Sequence, residues 1–261
     1  MMKEYIKLIR PPLFLLGFLA SWALLVRSGL WGTEEALFIF LAVGFGNAAF
    51  TVFNEIHDIK QDRINKPWKP LPSGKVPVSH AIFIAVVFYA ISLISLLYLL
   101  KYSVYYVLCG FIGYTTASIY NVIGRREVLG NACLGFTYAI AAYMSTALTD
   151  LIFSVSFGLL TVAHNIMVQI QDLEADRRAG VVTLPQIISL RLSRLISGIL
   201  STTACAVFLY LAQMVFALAT MLILVSIVFK QHIEALIRWG VRLMILLGFL
   251  VMVIEHAVLH V

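Results

Sequence analysis

The sequence predicts an all-α polytopic membrane protein of about nine transmembrane helices with a cytoplasmic N-terminus. Three observations predict it. Of the 261 residues, 61% are hydrophobic and only 12% charged, against roughly 25% charged in an ordinary soluble domain. The apolar residues gather into runs near the length of a helical bilayer crossing, about 20 residues. Threading those runs through a membrane leaves almost every basic residue on one side.

The runs lie at 12–30, 36–56, 78–99, 103–121, 129–148, 151–171, 190–209, 212–229 and 240–259. Backbone polar groups find no water in lipid, so each run is expected to be a helix. The first follows Lys3, Lys7 and Arg10 and leads to Trp22, Arg27 and Trp31 without a small-residue cleavage site. It reads as a span and not as a signal peptide. Only brief polar breaks, at Asp150 and Gln213, mark the fifth-to-sixth and seventh-to-eighth boundaries. With connections this short, residues 1–261 form one membrane domain. Cys109, Cys133 and Cys205 sit inside apolar runs without paired spacing or nearby His, and read as small hydrophobes.

The charge pattern orients these spans. A cytoplasmic N-terminus puts Lys3, Lys7 and Arg10 inside, then Lys60, Arg63, Lys66, Lys69 and Lys75, then Arg125 and Arg126. Arg177, Arg178, Arg191, Arg194, Lys230, Arg238 and Arg242 follow on the same side, and only Arg27 and Lys101 fall outside. Lys and Arg are retained on the cytoplasmic side of membrane proteins. The expected location is therefore the cell (plasma) membrane, multi-pass, with the polar chemistry facing the cytoplasm.

Acidic residues carry the functional reading. At the end of the second run, Asn54, Asp58 and Asp62 recur every fourth residue, which on a helix is one face. At the end of the sixth run Asp172 and Asp176 repeat the spacing. Like charges four apart repel, and desolvation near lipid raises that penalty. A divalent cation offsets it, and carboxylate and amide oxygens are hard ligands suited to magnesium, which keeps waters and substrate phosphates as its other partners. Asp58 and Asp172, Asp62 and Asp176, and Arg63 and Arg177 are each 114 positions apart. Each cluster leads to a Leu-Pro pair, and an even number of spans lies between them. Two parallel pseudo-repeats, with motifs at 54–74 and 172–185, would give a site between the halves.

Between Asp62 and Gly74 runs a basic loop with Arg63, Lys66 and Lys69, and with Pro67, Pro70 and Pro72. The prolines exclude a regular helix. A stiff cationic loop beside paired carboxylates suits a diphosphate, whose oxygens metal ions and Lys or Arg neutralise together.

At this point the residues reach a family. Asn54-x-x-x-Asp58-x-x-x-Asp62-Arg63, with Asn65-Lys66-Pro67 and Pro70-Leu71-Pro72-Ser73-Gly74, resembles the first motif of the UbiA superfamily of intramembrane prenyltransferases. Asp172-x-x-x-Asp176-Arg177, with Gly180 and Thr183-Leu184-Pro185, resembles the second; Tyr120-Asn121, Arg125, Arg126 and Gly130-Asn131 resemble the fourth-to-fifth connection. The resemblance implies nine helices around a central cavity and magnesium-dependent transfer of an isoprenoid chain from a prenyl diphosphate to a lipophilic acceptor. It implies Mg2+ as the cofactor, on Asn54, Asp58, Asp62, Asp172 and Asp176. Diphosphate contacts would come from Arg63, Lys66, Lys69, Tyr120, Arg125, Arg126 and Arg177. Tyr114, Tyr120, Tyr138, Tyr143 and Phe53 are placed to line the cavity, where aromatic faces stabilise an electron-poor allylic carbon. The partners expected are the prenyl diphosphate, the acceptor and membrane lipid, with no nucleic acid and no obligatory protein partner.

The acceptor stays open. Asn165 and Gln169 share a face with Asp172 and Asp176, with His164 on its shoulder, and either orient an acceptor or join helices by hydrogen bonds. Family members that make archaeal digeranylgeranylglyceryl phosphate often carry an Arg-Glu pair and a Lys here, where this chain has His164, Asn165 and Val168. An aromatic or quinone precursor and archaeal geranylgeranylglyceryl phosphate are both compatible. From other classes, an ion-coupled secondary transporter would use its acids in mid-span. A CDP-alcohol phosphotransferase would need an Asp-Gly-x-x-Ala-Arg element, which the chain lacks.

Overall fold

The computed structural model describes residues 2–123, 127–211, 216–218, 220–221, 223–224 and 234–259. The described residues are helical, without strands. In chain order the helices are α1 (Met2–Ile9), α2 (Pro11–Arg27), α3 (Glu34–His57), α4 (Ile59–Asn65), α5 (Val78–Tyr98) and α6 (Val104–Ile123). They continue with α7 (Glu127–Ser145), α8 (Leu151–Gln171), α9 (Leu173–Arg178), α10 (Leu184–Ile188), α11 (Leu190–Tyr210) and α12 (Glu234–Leu259).

Among the described residues five helices are long and apolar enough to cross a membrane: α3, α5 with its last turn, α7, α8 and α11. A sixth span results if α1 and α2, bent by 51° at their junction, count together. Pro11 sits at the start of α2, which disfavours helical backbone at the preceding residue; Arg10 accordingly turns out of the helix with φ 51°. α6 has the length, but Thr115, Thr116, Ser118 and Asn121 lower its hydropathy. Most of the expected run at 212–229 lies outside the described residues.

Local chemistry sets the helix starts. Thr33 caps α3 by accepting from the Ala36 N–H at 3.1 Å, and Asp150 caps α8 by accepting from the Phe153 N–H at 2.9 Å. Both satisfy donors that a helix start leaves open. At this end of the bundle the two cations expected outside each meet an acid: Arg27 is 3.2 Å from Asp150, and Lys101 is 2.7 Å from Glu34.

Lipid is as apolar as the helices, so close packing and interhelical hydrogen bonds hold the bundle together. α7 crosses α8 where Gly135 faces Gly158; a Cβ on Gly158 would lie 2.7 Å from the Gly135 carbonyl oxygen. Asn47 donates to the Leu13 carbonyl (3.0 Å), Ser197 to the Ala163 carbonyl (3.0 Å), and Ser145 to Ser21 (3.0 Å). These bonds tie α2 to α3, α8 to α11 and α2 to α7. The largest core gathers Phe153, Phe157, Phe208, Phe216 and Phe249, with Cys205 among them. Cys133 is buried as well, and all three cysteines are free.

Candidate active site

α3 and α8 end alike. Asp58 closes α3 and opens α4 at φ −79° and ψ −1°; Asp172 closes α8 and opens α9 at φ −86° and ψ 5°. Hydrogen bonds on either side match: Asp58 N–H to Asn54 O at 3.0 Å and Asp62 N–H to Asp58 O at 2.7 Å, against 2.9 Å and 2.8 Å at Asp172 and Asp176. The helix is interrupted at one residue, the first aspartate of each motif, while i→i−4 hydrogen bonds on either side keep Asn54, Asp58 and Asp62 at helical spacing. Asp is a poor helix-interior residue, and its charge is favoured at a helix start by the macrodipole. Neither carboxylate caps the helix it opens.

Exposure repeats too. Asp58 and Asp172 are half-buried, whereas Asp62 and Asp176 are buried. The two short helices touch. Gln61 Nε2 donates to Asp176 Oδ1 at 2.7 Å, and Lys66 Nζ lies 3.8 Å from Asp172 Oδ2. Residues of the first motif thus reach both acids of the second, and all four aspartates gather at one end of the bundle.

The basic loop folds down on the first motif. Leu71 and Val76 bury against Leu8 and Val52 and anchor it. Lys69 Nζ then bridges two carboxylates, Asp62 and, at 3.1 Å, Glu55. Glu55 is 2% exposed and also pairs with the Arg10 guanidinium. Burial, reinforced by Arg10, holds the Lys69 ammonium below the ordinary lysine range against the pull of Asp62 and Asp58.

The other expected site residues divide. Asn54 donates its amide to Asp58 Oδ2 at 3.3 Å. Arg63 and Arg177 are exposed on α4 and α9. Tyr120 is buried, its ring 5.6 Å from that of Phe50. Arg125 and Arg126 lie outside the described residues. Asn165 Nδ2 and Gln169 Nε2 each donate to Asn131 Oδ1 at 2.9 Å, which joins α8 to α7; Gln169 Oε1 is buried without a hydrogen-bond partner. Glu55, Arg10 and Gln61 were not anticipated at the site, and Asn131 was singled out only within the Gly130-Asn131 resemblance, without a role. Glu55 was accessible from spacing, because seven residues separate it from Asp62 and two helical turns restore the same face. The Gln61 and Asn131 contacts span distant parts of the chain and left no local signal.

Beneath the acids lie two apolar chambers. One is walled by α3, α6 and α7, with Phe50, Gly113, Tyr114, Tyr138 and Met144 in its lining. The other lies between α2, α3, α7 and α8, with Leu13, Leu24, Phe157 and Phe249 in its lining. Of the aromatics expected at a cavity, Tyr114 and Tyr138 are there. Phe53 packs instead with Leu8 and Val52, and Tyr143 lines neither chamber.

Paired helix ends rich in acids, a cationic loop and apolar space below form one arrangement, and comparison with known proteins places it in a family. A sequence model of the UbiA prenyltransferase family matches residues 14–253. The chain belongs to the UbiA prenyltransferase family. Among its UbiA relatives, the digeranylgeranylglyceryl phosphate synthase of Methanosphaera stadtmanae is 28% identical over 214 residues, 78% of this chain and 76% of that protein. The Pyrococcus horikoshii synthase is 30% identical over 207 residues, 76% of this chain and 73% of that protein. A UbiA homologue from Archaeoglobus fulgidus, solved with GPP and Mg2+ bound, shares the fold with a TM-score of 0.68 at 16% identity, over 96% of this chain and 99% of that one. The protein is a UbiA-type prenyltransferase, and the transporter alternative finds no support.

Proposed function

We propose that the four aspartates bind a magnesium–prenyl diphosphate complex, whose chain is then transferred to a lipophilic acceptor with release of diphosphate. One observation carries the proposal: two Asp-x-x-x-Asp helix ends meet at one end of the bundle, bridged by Gln61 and Lys66, with apolar chambers below.

The residues fit magnesium. Asn54, Asp58, Asp62, Asp172 and Asp176 offer only oxygen donors for a cation. Among the described residues no group of three or more His, Cys, Asp or Glu side chains stands ready to hold a metal ion by itself. Magnesium takes one or two carboxylates and keeps waters and substrate phosphates, so an open set from two helices suits it. When bound, it would neutralise the growing negative charge on the departing diphosphate.

The chain's own residues do the rest. Lys66 and Lys69 stand beside the acids, placed to turn their ammonium groups onto diphosphate oxygens, with Arg63, Arg177, Arg125 and Arg126 as further cations and Tyr120 as a hydroxyl donor. Preplaced positive charge is worth most where negative charge develops during reaction. The allylic C–O bond breaks with its electron pair leaving on diphosphate. The acceptor's nucleophilic pair forms the new bond to that carbon, and the acceptor loses a proton. Asn165 and Gln169 are assigned to acceptor orientation; the buried Gln169 Oε1 is an acceptor awaiting a donor.

The reading places nine spans in the plasma membrane, N-terminus and active site cytoplasmic, in one domain of two parallel halves. Seventeen of nineteen Lys and Arg on one side support that orientation. Two acceptor classes are retained. The relatives' name favours geranylgeranylglyceryl phosphate. The uncharged Asn165 and Val168 favour an aromatic or quinone precursor.

The test is incubation of purified protein in nanodiscs with geranylgeranyl diphosphate and each acceptor, with magnesium or EDTA, followed by product mass. Magnesium-dependent gain of one prenyl unit by either acceptor is expected. Unchanged acceptors under every condition would remove the proposal.

A further inference from the structure

At about 3.6 residues per turn, the side chains of α1 fall on three faces. Tyr5 and Leu8 form the first, which packs on the bundle. Leu8 is 0% exposed against Val52, Leu71 and Val76, and the Tyr5 hydroxyl meets Nδ1 of His80 on α5 at 2.5 Å. Met2 and Ile6 form the second, one turn apart and 79% and 51% exposed. Lys3 and Lys7 form the third, and both are exposed. Glu4, the one acid of α1, is half-buried and pairs with Lys7 at 2.7 Å. A third exposed cation, Lys75, adjoins Val76, which packs beside Leu8. The outer surface of α1 is thus apolar along one stripe and cationic along the next.

That division suits the border of a bilayer, where an apolar stripe sinks to the acyl boundary and lysines reach anionic headgroups. The placement agrees. α1 is bent by 51° from the span that follows it, at the end of the bundle where the acid clusters gather. Ile82 and Phe83 of α5, within a turn of His80, are exposed as well, so the Met2–Ile6 stripe adjoins the lipid-facing side of α5. Three cations against one acid select an occupant of negative charge.

The helix also has a direct connection to the acids. Arg10 follows α1 immediately, at φ 51°, and its guanidinium pairs with buried Glu55. Glu55 in turn shares the Lys69 ammonium with Asp62. We propose that α1 docks on the anionic headgroup layer of the bilayer, and that docking holds Arg10 on Glu55, so that membrane charge supports the assembled acid cluster.

The test uses the full chain in nanodiscs of phosphatidylcholine, alone or mixed equally with phosphatidylglycerol. Spin labels are placed on Lys3→Cys or Ile6→Cys, with Cys109, Cys133 and Cys205 replaced by alanine. Their collisions with oxygen and with a water-soluble nickel chelate report depth. In mixed discs the Ile6 label should favour oxygen and the Lys3 label nickel. Prenyl transfer is then compared between wild type and Lys3→Gln/Lys7→Gln, an arm that rests on the prenyl-transfer reading. Each lysine beside an anionic surface is worth about fivefold in the docking equilibrium. Phosphatidylglycerol should therefore raise wild-type transfer several-fold. The double variant should lose that response and match wild type in phosphatidylcholine alone.

An Ile6 label that meets nickel as readily as the Lys3 label puts α1 in water and overturns the proposal. So does an Ile6 label shielded from both reagents, which places a protein partner or a second copy on this face. A phosphatidylglycerol response absent from wild type, or undiminished in the double variant, overturns the connection to the acids. Absence of transfer by wild type in every disc removes the prenyl-transfer reading and that connection with it, while the labels still decide the docking.

Discussion

Replacing Lys69 with Met removes one cation from a buried set of four charges. Glu55 and Asp62 keep only 3% and 5% of their side-chain surface, and Lys69 keeps 16%. Arg10 would then remain paired with Glu55, and Asp62 would lose the cation that compensates it. Breaking a buried pair by removing one partner destabilises by about 3–5 kcal/mol, and the low end applies because Arg10 remains. About 3 kcal/mol corresponds to a Tm lower by roughly 6–12 °C in a domain of this size. Burial already works against the Lys69 charge, so its contribution lies in what the two acids lose without it. If Asp62 binds magnesium as proposed, the ion would supply the missing charge and at a hundredfold excess over its Kd would restore about 2.7 kcal/mol. Thermal unfolding of the purified protein in EDTA and in magnesium reads both effects. The variant should melt well below wild type in EDTA and close most of the gap in magnesium. Lys66→Met is the control: Lys66 is 35% exposed and 3.8 Å from Asp172, a geometry worth under about 1 kcal/mol. Equal melting of Lys69→Met and wild type in EDTA, or a gap that magnesium leaves untouched, refutes this account of the loop.

Gly158→Ala pushes a methyl to 2.7 Å from the Gly135 carbonyl oxygen, so α7 and α8 must separate; a loss of about 1–3 kcal/mol should appear as a lower Tm, and an unchanged Tm contradicts the packing. Gln61→Leu removes the donor that orients Asp176; the concentration of magnesium that half-saturates transfer should rise about tenfold or more, as for other groups that orient metal ligands, and an unchanged value removes Gln61 from that role. Single cysteines at Lys3 and at Tyr102 report topology in sealed inside-out vesicles: an impermeant maleimide should label the first and not the second, and the reverse pattern overturns the orientation.

The apolar helices among the described residues were legible because hydropathy acts residue by residue. The acid clusters were legible because a spacing of four and an offset of 114 survive in the sequence. The breaks at Asp58 and Asp172 were not, since each depends on a single residue's backbone among good helix formers. α4, α9 and α10 are too short to carry a hydrophobic period of their own. Lys69 was picked out as a cation for substrate, and its two acid partners became visible only when the loop folded back over α3. Gln61 meets Asp176 across 115 positions, a contact that only the docking of α4 on α9 creates.

The joint grip of both motifs on one ligand is tested most directly by magnesium-dependent binding of a non-reacting thio analogue of geranylgeranyl diphosphate, measured by calorimetry. Wild type, Asp58→Asn, Asp172→Asn and the double variant are compared. If one metal–diphosphate complex spans the two helix ends, either single change abolishes magnesium-dependent binding and the double variant is no worse. Undiminished binding by either single variant, or losses that simply add, would contradict it.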